Sequence, residues 1–502
     1  MVARTVTALT RLLDVVSLIA ADRRIQIVFT VDDERPAIFE AGTTALLDDL
    51  APRRIPWPRA RKTRFDLILS ASENDGLSDL DGPILLLPHG LAFQKYYPGS
   101  EVVAGLDPAR LPPTGAVTVG LSHPAQRPPA GAPGAVLGDP AWGRMLAGRH
   151  RRGGYRAAFG ATGRRLIVLA STWGPDSLLG ACPELPERLV AQLPMDEYRV
   201  VAVLHPGVWA EHGPWQVRAW LAPASGAGLR VLDPDTTWQA ALLAADCVLA
   251  DHGSLAGYAA LADVPVLLGP RLSGTTVPGS VADRLGERCA RLVAHADLRA
   301  QVDAAIRDHD AGAHRAVLGE AVTEPEATAS RLRSWLYRAM ELPEPPFPAE
   351  FPPPPVPVVE APPAGAWVAG AGAEAGLVTI TRFPALGAVH EELPYRHVVA
   401  RLEHATATQV AGAAVLGVDA VPEEDPFPHW PHALLIASAG DDGCRVWTRD
   451  GRAALLRAGD PAVDPWALAS WAYRRLRRAE PLAGTHRLRL GRRIVTLRAE
   501  GC

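Results

Sequence analysis

The stretch 245–269 constrains the fold more than any other part of this 502-residue chain. It opens with the apolar run Cys247-Val248-Leu249-Ala250, breaks at Asp251-His252-Gly253-Ser254, continues through small and apolar residues to Leu261, and closes on Val264-Pro265-Val266-Leu267-Leu268-Gly269. Two short apolar runs around a helix-length segment suit parallel strands buried on both faces, joined by a helix that opens at Ser254. The polar turn then falls at the carboxyl end of a strand, where open α/β sheets bind ligands. The unpaired N–H groups of the following helix favour an anion there, such as a phosphate.

Length and composition bound what surrounds this unit. A chain of this length exceeds one ordinary core, so about three domains are expected. A formal net charge of -4 with 48% hydrophobic residues describes a globular protein and argues against a strongly basic nucleic-acid binder. The five cysteines form no CxxC pair, which suits a reducing compartment and no structural zinc. Leu9, Leu12, Leu13, Val16 and Ile19 recur at helical spacing, but Arg11 and Asp14 interrupt the run. The segment therefore reads as an amphipathic helix and not as a secretory or spanning one. A cytoplasmic location is expected, with peripheral contact at the inner face of the membrane left open.

Taken in order, strands are expected at 25–30, 65–70, 83–88 and 116–122, with a helix from Pro36 to Leu50. This alternation predicts a Rossmann-like domain over about residues 1–150. A second set follows at 166–170, 198–204, 229–232 and in the opening stretch, with a helix after Thr236 that Asp235 could cap. It predicts a second Rossmann-like domain over about 151–340, facing the first across a cleft, with helical sequence from Asp297 to Met340 crossing back. The stretch 341–363, with Pro352-Pro353-Pro354-Pro355, favours polyproline II and reads as a semi-rigid linker. The remainder, 364–502, is expected to form a small α+β domain. Its markers are a helix from Asp464-Pro465 through Trp466, Leu468, Trp471 and Tyr473, and a hairpin turning at Gly491.

The candidates for chemistry sit at strand ends. His89, in Leu87-Pro88-His89-Gly90, either takes a proton from a hydroxyl at neutral pH or caps its turn. His205, in Leu204-His205-Pro206, either donates to a phosphate or is a surface turn residue, and His123-Pro124 shows that such a dipeptide is not specific by itself. The Thr172 hydroxyl either binds phosphate or caps a helix. Ser254 can do both. Asp251 would repel a phosphate, so it receives a hydrogen bond from a ribose, an acceptor hydroxyl or the turn backbone. No dinucleotide fingerprint or P-loop follows a strand. Asp32-Asp33 and Asp441-Asp442 read as solvated turns, and Arg474-Arg475-Leu476-Arg477-Arg478 as a solvated helix face or a contact for an anionic lipid or polymer.

In order and spacing these segments resemble the CDP-glycerol glycerophosphotransferase family, teichoic-acid polymerase-like enzymes of GT-B architecture. Pro88-His89-Gly90 resembles the family's Trp-His-Gly, and Gly138-Asp139-Pro140-Ala141-Trp142-Gly143-Arg144 its Gly-Tyr-Pro-Arg-x-Asp segment. Ser171-Thr172-Trp173 resembles its Pro-Thr-Trp/Phe-Arg turn, Leu204-His205-Pro206 its Arg/Lys-x-His-Pro strand end, and Asp251-His252-Gly253-Ser254 its Asp-Tyr-Ser-Ser. The departures are Pro88 for tryptophan, Gly174 for an arginine, His252-Gly253 for Tyr-Ser, and Lys95 one position farther from the histidine. The resemblance spans Ile25 to Gly269 and implies a GT-B-like pair of domains. It implies His89 as general base and a CDP-alcohol donor held by Thr172, His205, Asp251, Gly253 and Ser254. It also implies a hydroxyl acceptor, polymeric or lipid-linked, and neither metal nor cofactor. Two alternatives stay open: sugar transfer from a nucleotide-sugar on the same fold, and an inactive GT-B-like scaffold that meets a partner through its carboxyl-terminal domain.

Overall fold

A computed structural model of the chain describes residues 1–501 except 35–39, 98, 113–115, 130, 235–236, 271–275, 315–317, 320, 360–363, 388–389, 421–424 and 426. The expected Asp235 cap and the start of the helix at Pro36 lie outside the described residues, as does Cys502.

The first sheet is fully parallel, with β1 (Ile68–Ser70), β2 (Ile84–Leu86), β3 (Val117–Leu121) and β4 (Gly134–Val136) side by side in chain order. Beyond β1, Val2 pairs in parallel with both Ser70 and Thr30. The strand expected over 25–30 therefore reduces to a contact at its end, and the first residues of the chain take the place between it and β1. Ile25, Ile27 and Val28 are only partly buried, so their apolar character marks packing and not pairing. The helix Val6–Val16 is capped by the Thr5 hydroxyl, which accepts from the Ala8 N–H at 3.2 Å. Leu9, Leu12, Val16 and Ile19 fill the core as the periodicity predicts, while Leu13 is half-buried and Val15, outside that pattern, is fully buried. Arg11 and Asp14, which broke the apolar run, are also inside, at 4% and 5% exposure.

The second sheet is also parallel: β5 (Arg165–Ser171), β6 (Tyr198–Leu204), β7 (Arg230–Leu232), β8 (Cys247–Ala250), β9 (Val266–Leu268) and β10 (Ala290–Arg291), in the order β10-β9-β8-β5-β6-β7. Helix Leu298–Arg307 packs Leu298 and Val302 into its core. Helix Thr328–Ala339 returns to the first sheet, where Leu332, Leu336 and Tyr337 meet Leu9 and Leu12. The proline-rich segment is extended, yet it is a strap more than a spacer. Phe351 is buried in the first core, and the Pro354 carbonyl accepts from the buried Tyr155 hydroxyl at 2.8 Å.

The carboxyl-terminal region combines strands and helices, and its sheet closes in a way that the α+β expectation did not describe. Nine strands close a mixed barrel: β11 (Ala366–Glu374), β12 (Leu377–Pro384), β13 (His397–Arg401), β14 (Val415–Val418), β15 (Leu435–Gly440), β16 (Gly443–Thr448), β17 (Ala453–Ala458), β18 (Gly484–Leu490) and β19 (Arg493–Gly501). The helix Leu468–Arg477 is buried against the inner faces of several strands, with Trp471 fully enclosed. Closure depends on β12 pairing in parallel with the distant β18 and on β11 pairing with β13, and no local pattern encodes either. The barrel docks at the amino-terminal ends of β5 and β6. There the buried Arg382 guanidinium holds Asp196 at 2.6 Å and Asp464 at 2.7 Å, and the Met195 N–H donates to the Arg382 carbonyl. Burial alone would raise the Asp196 pKa, but Arg382 outweighs it and holds the carboxyl below its ordinary value.

Candidate functional site

Strand order places the site. From β5 the chain proceeds outward to β6 and β7, then returns to the other side of β5 for β8, β9 and β10. The carboxyl ends of β5 and β8 are thus the topological switch point, where a crevice opens. Thr172 follows β5 and Asp251 follows β8. The Asp251 carboxylate is buried and accepts from the Thr172 N–H and hydroxyl, both at 2.8 Å, from the Leu178 N–H at 3.0 Å and from the Gly253 N–H at 3.0 Å. In this arrangement Asp251 serves the turn backbone and binds the two loops together, and the Thr172 hydroxyl proton is spent on it. A Cβ at Gly253 would lie 2.6 Å from the Thr172 methyl, so this close approach needs glycine.

Four basic side chains gather over this turn. His205 accepts from the Gly207 N–H through Nδ1 at 2.9 Å, capping the helix Pro206–His212. Burial, then repulsion from His89 in its protonated form and from Lys95, push its pKa down to about 4, against the pull of Asp251. His252 sets Nε2 3.5 Å from the Thr172 hydroxyl and leaves Nδ1 buried with no hydrogen-bond partner. Burial and then Lys95 lower its pKa as well. Lys95 reaches in from the first half, where its backbone bridges to Thr276, and burial lowers its pKa while Asp251 opposes the shift. His89 faces the cleft from the end of β2 and keeps solvent access. Crowding by the protein, then Arg11, lowers its pKa; the Ala71 backbone carbonyl opposes this by favouring a ring N–H, and Lys95 adds to the lowering. All three histidines are therefore neutral at pH 7 and able to accept a proton.

The two halves meet directly beside this cluster. Leu91 is fully buried in the second half's core, which contributes about 1.5–3 kcal/mol to holding the halves together. The Leu91 N–H donates to Ser254 Oγ at 3.3 Å, and a Cβ at Gly257 would lie 2.6 Å from the Leu91 side chain. Ser254 opens its helix as expected, with Gly253 at the cap, and its oxygen ties the helix start to the first half. Beneath His89, the buried Arg11 donates to the Gly90 carbonyl at 2.7 Å, to Asp139 at 3.0 Å and to the Tyr258 hydroxyl at 2.7 Å. Tyr258 in turn donates to Asp139 at 2.9 Å, and Asp139 caps the helix Pro140–Gly148. One buried knot thus joins the first helix, the His89 turn, the crossover and the helix after Asp251. A pocket lined by Gln94, His252, Gly253, Pro270, Asp283 and Arg291 opens next to it.

The structure brings His89 and His205 together with the Thr172, Asp251, Gly253 and Ser254 turns. Sequence reasoning missed the contributions of Lys95, His252, Arg11 and Tyr258. Lys95 and His252 stood out in the sequence only as departures from the family pattern, and a charged Arg11 in an apolar helix was the one signal for the buried knot. Other motifs resolve without a site. His123 Nδ1 accepts from the Ala125 N–H in its own turn, and Asp32 is buried and not solvated as expected. Arg474, Arg475 and Arg478 converge on Glu480. Among the described residues no helix is long and apolar enough to cross a membrane.

No family profile matches the chain, and no curated protein matches it in sequence. Similar solved structures include the wall teichoic acid polymerase TagF, at 10% identity and TM-score 0.46, covering 68% of this chain and 87% of that one. S. aureus MnaA with UDP is 11% identical at TM-score 0.43, covering 70% and 98%. Anabaena HepE with UDP and glucose is 12% identical at TM-score 0.35, covering 68% and 98%.

Proposed function

We propose that the chain is a transferase that moves a glycerophosphate-like group from a CDP-alcohol to an acceptor hydroxyl. The observation that carries this reading is a neutral histidine on one half, His89, set opposite a cluster of Lys95, His205 and His252 at the switch point of the other. The donor's diphosphate lies against that cluster, where Lys95 and a histidine protonated on binding supply charge-assisted hydrogen bonds. The acceptor oxygen attacks the phosphorus that bears the alcohol, its proton passes to the open ring nitrogen of His89, and the phosphoanhydride bond breaks to release CMP. The first half, about residues 1–150, serves the acceptor, and the second, about 151–340, the donor.

The direct test is incubation with CDP-glycerol and a hydroxyl acceptor, followed by product analysis. A new phosphodiester with stoichiometric CMP supports the reading; a glycoside from a nucleotide-sugar replaces it with sugar transfer, and absence of turnover with every donor leaves a scaffold. Binding is checked separately. CDP at about 100 times its Kd should stabilise the protein by about 2.7 kcal/mol in a thermal-shift assay. Lys95→Met should weaken CDP binding by roughly 1.5–3 kcal/mol, or about 10–150-fold.

Affinity should also depend on pH with a definite sign. His205 titrates at about 4 in the free protein, and a bound diphosphate raises that value. Binding therefore takes up protons, and CDP affinity rises as pH falls from ~7 towards ~5. Calorimetry in two buffers of different ionisation enthalpy reads the uptake; proton release on binding would contradict the assignment.

A further inference from the structure

The barrel carries a surface that the transfer reaction does not use. Along β18 and β19, outward and inward residues alternate: Leu488, Leu490, Val495 and Leu497 point in, while Arg487, Arg489, Ile494, Thr496 and Arg498 are exposed. Arg457 on β17 and Arg445 on β16 are exposed on the same outer face. The register fixes their layout. Arg457 stands opposite Arg498, Arg498 opposite Thr485, Arg487 opposite Thr496, Arg489 opposite Ile494, and Arg445 opposite Leu455, which faces Glu500. In order Arg445, Arg457, Arg498, Arg487 and Arg489 run diagonally across four adjacent strands. With about 4.8 Å between strands and about 6.8 Å between same-face residues, the stripe extends over roughly 25–30 Å in steps of about 5–8 Å.

Fold stability does not account for this pattern. Like charges placed directly opposite each other in a sheet are destabilising, and Arg457 faces Arg498. The acidic residue within the stripe is Glu500, which bonds Arg457 at 2.7 Å, with Glu374 lying beyond β12. This concentration of positive charge stands on a chain of formal net charge -4. A stripe, as opposed to a pocket, matches a linear ligand with repeated charge. Its outward residues include one exposed large apolar side chain, Ile494, with Leu455 and Trp447 half-buried at the Arg445 end. Bilayer docking relies on an inserting apolar and aromatic face, and single-stranded nucleic acid on a row of rings for base stacking. One exposed aliphatic side chain and one half-buried ring at the end of the stripe supply neither.

We propose that this outer face of β16, β17, β19 and β18 binds a linear phosphodiester polymer without bases, such as a polyol phosphate chain, and tethers it to the protein. The class of polymer rests on the transferase reading above, since such a chain is what repeated transfer of polyol phosphate would build; the polyanion chemistry does not. Because the barrel docks at the amino ends of β5 and β6 while the cluster lies at their carboxyl ends, the stripe is a holding site set apart from the reaction.

The test measures binding of a fluorescent glycerol phosphate oligomer to the full chain, without CDP-glycerol, alongside single-stranded DNA of equal charge and vesicles with anionic lipid. Micromolar binding of the oligomer is expected, with a salt slope of about 0.7 per phosphate engaged. Arg487→Gln/Arg489→Gln/Arg498→Gln should lower affinity at least about tenfold and flatten the slope by about 2, with unchanged melting temperature and CDP binding. Equal affinity in the variant overturns the proposal, as does tighter binding of DNA or vesicles than of the oligomer. Since the assay needs no turnover, loss of the transferase reading and loss of the tether are read separately.

Discussion

His89→Ala is expected to lower kcat by about 10²–10⁴-fold while CDP affinity changes by less than about threefold. The histidine sits on the first half, and none of the donor-side turns at Thr172, Gly253 or Ser254 depends on it for a hydrogen bond. It is exposed to the cleft, so its removal costs the fold the one bond to the Ala71 carbonyl, about 1 kcal/mol, and the fold should persist. Its lowered pKa places the group in the base form throughout the neutral range, and turnover should fall on the acid side only below pH ~6.5. That acid limb should vanish from the residual activity of the variant. His205→Ala should behave differently, raising KM for the donor with a smaller loss in kcat, because it bears on the ground-state diphosphate. Full turnover by the His89 variant would remove it from the mechanism.

The parallel sheets were legible because buried parallel strands announce themselves as short apolar runs. Leu166 to Ala170 and Cys247 to Ala250 are inside on both faces, and the turn at Asp251 follows from where such a run stops. What the turn does was not legible. Asp251 could have met a ribose or an acceptor, and only the position of Thr172 after β5 shows that it holds the two loops together. The histidines at strand ends could be assigned a role, whereas Lys95 stood out only as a departure from the family's spacing. It lies in a segment without regular structure, and it reaches the cluster because Leu91 is anchored in the opposite half.

The barrel was missed for a different reason. Its hairpin at Gly491 and the helix after Asp464 were both visible, since each is a local pattern. Closure is not local. It needs β12 beside β18, and short strands bounded by turns are equally compatible with an open α+β sheet. The alternation of arginine with leucine in β18 was present in the sequence, yet its meaning depended on which strands lie next to it. Register turned scattered arginines into a stripe.

Arg11→Met should lower stability by about 3–5 kcal/mol in urea unfolding. The guanidinium is 4% exposed and balances a carboxylate, Asp139, that is fully buried. Removing it leaves that charge in a low-dielectric site with the Tyr258 hydroxyl as its remaining side-chain donor, and leaves the Gly90 carbonyl without its partner. The second variant separates charge from shape. Asp139→Asn keeps an oxygen to cap the Trp142 N–H but carries no charge, so Arg11→Met/Asp139→Asn should recover part of the loss, by about 1–2 kcal/mol. Equal losses in the single and double variants would mean that packing, and not the buried charge, accounts for the effect. Because Arg11 also fixes the turn that carries His89, the double variant should regain stability before it regains turnover, its kcat staying low while CDP still binds. A knot that served folding alone would restore both together.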